Sequence, residues 1–172
     1  MSTARWVSVI ALTVALLCAA ACENSEPSAE EHDAVEDAVR GYLNALAEAY
    51  STLDTRVLDE WASPNEIAAV RKLLTQLAQT GDRIDSKLIG FEIESMAMFR
   101  GVNATVRLIE VWDVTRYGAL DGREKGRSPS SLQNTLLQLR RVDGRWVVVG
   151  RTIMSRETPV TEEQQPATGD GG

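Results

Sequence analysis

The chain has a single histidine, His32, and two cysteines, Cys18 and Cys22, among its 172 residues. That scarcity excludes a histidine-dependent triad, a zinc site of the usual cysteine and histidine spacing, and a disulfide framework. No G-x-x-x-x-G-K-[ST] or G-x-G-x-x-G run occurs, so the sequence encodes no backbone cradle for a nucleotide phosphate. Basic residues are in deficit too: 18 Lys and Arg face 25 Asp and Glu, a net charge of −7. A surface built to hold a nucleic-acid backbone needs the opposite balance, so nucleic acid is not an expected partner. No cofactor and no metal are expected either. What is present is 44% hydrophobic and 25% charged, the composition of a folded domain. The length suits one domain with extensions.

The longest apolar run is residues 6–21, behind a short positive start at Arg5. At about 1.5 Å per residue it falls short of the roughly 20 residues a membrane-spanning helix needs. Its small-residue ending is that of a secretory signal. The ending, Leu17-Cys18-Ala19-Ala20-Ala21-Cys22, resembles a bacterial lipobox, in which small residues precede the cysteine that receives the lipid. Cys22 fits behind Ala21, whereas Cys18 follows the bulky Leu17. Where the family usually has leucine, this chain has Ala19. The resemblance implies a lipid on Cys22 and a protein anchored to a membrane in the cell envelope, outside the cytoplasmic membrane. Ala19-Ala20-Ala21 is also an A-x-A site for an ordinary signal peptidase, which would instead give a secreted or periplasmic protein. Either cut removes Cys18, so no intramolecular disulfide is expected.

Residues 22–32 hold no apolar side chain larger than alanine and read as a tether, too poor in burial to offset the entropy of ordering. Residues 154–172, acidic and ending in Gly-Asp-Gly-Gly, read as a disordered tail. Between them, residues 33–153 form the expected domain. Asp33 and Glu36 make a capping box for a first helix. Its apolar stripe is Val35, Val39, Tyr42, Leu43, Leu46, Tyr50 and Leu53. A short second helix is expected over 54–62. Ser63-Pro64-Asn65-Glu66 opens a third, which Gly81 ends. The period then falls to two. Strands are expected over 85–99, 104–117, 132–142 and 145–153, with a loop at 118–131 and a tight turn at Asp143-Gly144. Helices first and strands afterwards imply an α+β fold, three helices packed on a bent antiparallel four-stranded sheet.

That order resembles the NTF2-like cone. More narrowly, residues 38–153 resemble the IMS-type domain at the C-terminal end of chloroplast division proteins. The matching points are Leu58 with Trp61, the strand Ala104-Thr105-Val106-Arg107-Leu108-Ile109-Glu110, Asp113-Val114 after it, and the closing Gly144-Arg145-Trp146-Val147-Val148. The resemblance implies a domain that acts by binding partners. In ketosteroid-isomerase-like relatives of the superfold, an acid projecting into the cone is a general base. Glu110, on the same strand face as Val106, Leu108, Trp112 and Val114, is the candidate here. Its alternative is a structural carboxylate, paired with an arginine or capped by Asn134 or Tyr42, since a buried unpaired carboxylate costs several kcal/mol. Asp113 and Arg116 stand three apart on a strand and so point to opposite faces.

Charge separates within the domain. Residues 33–99 carry six basic and twelve acidic side chains, and residues 100–153 carry ten and five. The turn at Asp143-Gly144 sets Arg141 opposite Trp146, Leu139 opposite Val148 and Leu137 opposite Gly150. The other face then holds Arg140, Val147, Val149 and Arg151, whose mixture of apolar bodies and guanidinium heads is expected of an interface. Two functions follow. One is a non-catalytic envelope lipoprotein that binds a protein partner, or itself as a homodimer, through this sheet face. The other is a small cone-pocket ligand binder or enzyme using Glu110. Whether Glu110 meets an open cavity or a salt bridge separates them.

Overall fold

Ser28, not Asp33, starts the first helix. The computed structural model of the chain describes residues 27–157; the expected signal segment, Cys22 and the part of the expected tail beyond 157 lie outside the described residues. Helix α1 is Ala29–Thr52, and the Ser28 hydroxyl accepts from the Glu31 N–H while the Glu31 carboxylate accepts from the Ser28 N–H. This capping box is complete without apolar help, and Ala29, Glu30 and Glu31 are good helix formers. The last four residues of the expected tether, 29–32, are therefore helical, and His32 sits on the first turn beside Asp33.

The helix expected over 54–62 is reduced to one 3-10 turn, Thr55–Leu58, capped by Asp54. The residues after it are needed in extended form. The Val148 N–H donates to the Trp61 carbonyl at 2.9 Å, and the Ser63 N–H donates to the Val148 carbonyl at 2.8 Å. Helix α2, Pro64–Gln79, begins where Ser63 and Pro64 place it. Among the described residues there are thus two α-helices packed on the sheet, not the three expected.

Four strands follow: β1 Asp82–Phe99, β2 Asn103–Gly118, β3 Glu124–Val142 and β4 Arg145–Glu157. They form one antiparallel sheet in the order β1-β2-β3-β4. Strand β3 starts well inside the expected loop. Gly126 pairs with Arg116, and Pro129 falls where the register slips between the pairs Trp112–Ser131 and Val114–Ser128. A proline cannot donate to the ladder, and a bulge is one of the few strand positions that tolerates it. The Asp113 carboxylate accepts from the Ser130 N–H at 2.8 Å, satisfying a donor the slip sets free. At the second slip, Lys125 drops out of the ladder and bonds Asp82, whose carboxyl it holds below the usual range.

Helix α1 lays Val35, Val39, Tyr42, Leu43 and Leu46 on the concave face of the sheet, against Val106, Leu108, Leu137, Leu139 and Val148. Trp146 is buried. Trp61 is half-buried, its ring lying on Gly41, where a Cβ would overlap it.

The turn at Asp143-Gly144 has positive φ at both residues, the type I′ geometry that matches strand twist. It pairs Arg141 with Trp146, Arg140 with Val147 and Leu139 with Val148, as expected. Beyond that the expected register fails. An extra residue at Val149 sets Gln138 opposite Gly150 and Leu137 opposite Arg151; another at Met154 sets Gln133 opposite Arg156. Because the side-chain period is two, each bulge turns the rest of the strand over. Arg151 therefore leaves the outer face it was expected to share with Arg140, Val147 and Val149. Arg140 stays outside and exposed, with Val147 and Val149 half-buried. Strand β4 also runs past residue 153 to Glu157, into the stretch expected to be tail.

Candidate functional site

Alternation on β2 points Val106, Leu108, Glu110 and Trp112 into the concave side, as the sequence indicates. Glu110 is 0% exposed. Its Oε2 accepts from the Trp112 indole N–H at 2.7 Å and from Arg151 Nη2 at 2.7 Å. Trp112 reaches it because residues two apart on a strand share a face. Arg151 reaches it only because of the bulge at Val149. The same Nη2 donates to Gln133 Oε1 at 3.2 Å, so Arg151 is held by β2 and β3 together. Neither Tyr42 nor Asn134 caps Glu110. The Tyr42 hydroxyl donates to Glu66 at 2.6 Å, and Asn134 donates to the Ser155 hydroxyl at 2.6 Å. Burial, and then the Glu66 charge, hold the Tyr42 phenol far above its ordinary range.

In front of Arg151 lies a cavity of about 140 Å³ between α1 and the lower sheet. Leu46, Ala47, Ile84, Trp112 and Val114 form its apolar side; Tyr50, Ser86, Gln133, Arg151 and Arg156 form its polar side. Glu110 is not part of the wall; it stands behind Arg151. The Tyr50 phenol is pushed up by burial, against the pull of Arg151 and Arg156, and is protonated at neutral pH. Among the described residues no group of three His, Cys, Asp or Glu side chains could hold a metal ion. No described helix is long and apolar enough to cross a membrane.

No protein-family model matches the chain, and no curated protein matches it significantly. Solved structures do. The intermembrane space region of the chloroplast protein ARC6 superposes with a TM-score of 0.59 at 13% identity, over 75% of this chain and 98% of that one. A ketosteroid isomerase-like protein from Erwinia carotovora atroseptica superposes with a TM-score of 0.51 at 16% identity, over 74% of this chain and 99% of that one. The fold is an NTF2-like cone.

Within the cone, the expected acid and the observed opening are separate things. Glu110 has both oxygens out of contact with the cavity: Oε2 is engaged twice, and Oε1 is buried without a partner among the described residues. It fixes a cation; the cation faces the opening. The residues that sequence reasoning missed are Tyr50, Ser86, Gln133 and Arg156. Arg156 was hidden in the expected tail. The one local sign of the β4 rephasing is Gly150, since a glycine inside a strand often marks a bulge.

Proposed function

We propose that this domain is a non-catalytic binder of a small organic ligand, held in the cone cavity, and that a lipid on Cys22 presents it at the cell envelope. The observation that carries the binding reading is the division of labour between Glu110 and Arg151. The only carboxylate expected to do chemistry is bonded to Trp112 and Arg151 and lies behind the wall. The cavity keeps an apolar side and a polar side, the make-up of a ligand site. The outer sheet face, read from sequence as a surface for a partner or a second copy, loses Arg151 to the interior, so the cavity supports function better. Its volume of about 140 Å³ compares with the roughly 150 Å³ engineered cavity that takes up benzene, so the occupant is about one ring in size.

The test is a thermal-shift and NMR screen of single-ring compounds against the full chain and an Ala47→Trp variant. Ala47 lies at the wall and only partly in the core, so the added indole fills the cavity with the fold intact. Ligand-induced shifts are expected in wild type and absent in the variant. Shifts that persist unchanged in Ala47→Trp would place binding elsewhere.

The anchoring reading rests on Ala19-Ala20-Ala21-Cys22. Cys22→Ala is expected to abolish labelling by a palmitate analogue in cells and to release the protein from the membrane fraction. Unchanged labelling would overturn it.

A further inference from the structure

Resting on the cavity reading, we propose that the ligand is a carboxylate with a compact apolar body, its anionic head on Arg156 and Arg151 and its body against Leu46, Ile84 and Trp112. Three observations lead there. The first is that the polar side of the cavity offers donors. Arg151 and Arg156 are guanidinium groups, Tyr50 and Ser86 are hydroxyls, and Gln133 has its carbonyl oxygen engaged by Arg151, which leaves its amide N–H groups for the opening. No carboxylate lines the cavity. A ligand head rich in donors would meet no strong acceptor; a head rich in acceptors meets five potential donors.

The second is the charge balance. Glu110, 2.7 Å from Arg151, neutralises that guanidinium. Arg156 has no acidic group within 4.0 Å among the described residues. With Tyr50 protonated, the site is left with one uncompensated positive charge, which one carboxylate balances. The third is preorganisation. Arg151 is already fixed by Glu110 and Gln133, so it loses little side-chain freedom when a ligand arrives, and planar guanidinium groups match a carboxylate's two oxygens. The apolar side then selects against bare inorganic anions, which have nothing to bury there.

The experiment is isothermal titration of the full chain with three probes: benzoate, benzyl alcohol and inorganic phosphate. Benzoate is expected to bind about tenfold or more tightly than the other two, since a hydrogen bond to a charged group exceeds one to a neutral group. In Arg156→Gln, benzoate affinity is expected to fall about tenfold with benzyl alcohol unchanged, and because Arg156 is exposed the melting temperature stays that of wild type. Benzyl alcohol binding as well as benzoate, or benzoate indifferent to Arg156→Gln, overturns the carboxylate assignment and leaves the cavity reading standing. Phosphate binding as well as benzoate overturns the role of the apolar body. No binding by either ring compound overturns the cavity reading itself.

Discussion

Glu110→Leu is expected to destabilise the domain by about 3–5 kcal/mol, the cost of removing one partner from a buried ion pair. The substitution keeps the volume of the side chain roughly constant, so a cavity is not the cause. It leaves Arg151, whose side chain is 12% exposed, with Gln133 as its remaining acceptor, and it strips the Trp112 indole N–H of its partner. For a domain of this size the loss lowers the melting temperature by roughly 10 °C or more. The decisive measurement is a double-mutant cycle by urea unfolding with Arg151→Met. Arg151→Met alone strands the Glu110 carboxylate and is also costly. The double variant replaces both charges by apolar groups and is expected to recover most of the stability. A surface-like loss under about 1 kcal/mol for Glu110→Leu would mean that the pair is not formed, and that Glu110 is free for another role.

Trp146→Ala is expected to cost about 3–5 kcal/mol as a large-to-small change in the core. Trp146 is 6% exposed and stands opposite Arg141 in the hairpin. Two residues on, Val148 pairs through its backbone with Trp61 and Ser63, so the void opens where the 3-10 turn is stitched to the sheet. A melting temperature within a degree or two of wild type would show Trp146 facing outward and the hairpin out of register.

The elements legible in the sequence were those set by local chemistry. Ser63-Pro64-Asn65-Glu66 determines the start of α2 within one turn of chain, and the structure starts it there. Asp143-Gly144 fixes a hairpin because both residues accept positive φ, and its pairs form as expected as far as Leu139 with Val148. The inward face of β2, with Glu110 on it, follows from alternation alone. The elements that escaped notice depend on a partner strand. Residues 54–62 have helical spacing, but Trp61, Ala62 and Ser63 are drawn into extended pairing with Val148. Gly126 and Pro129 look like loop residues until β2 is placed beside them. Strict alternation would set Ile89 on one face with Phe91 and Ile93; it is the extra residue of a bulge and is 52% exposed, with Leu88 packed against the core. The inward turn of Arg151 is of the same kind, whereas Arg156 keeps the phase of Trp146 and Val148 and escaped notice because β4 was expected to end at residue 153. A bulge counts residues on two strands against each other, and a single strand's sequence holds only one of the counts.

Four of the extra residues fall on the two edge strands. Ile89 and Glu94 interrupt β1, and Val149 and Met154 interrupt β4. An edge strand with an unbroken row of free N–H and C=O groups is a template on which another chain can add, and bulges are among the devices that spoil the template. The regular runs are at most seven residues on β1, from Asp82 to Leu88, and at most four on β4. Molecules of this protein crowded side by side, at the density a lipid anchor would impose, should therefore resist joining their sheets into fibrils. The irregularity that turns Arg151 inward also spoils the edge on which a neighbouring copy would add.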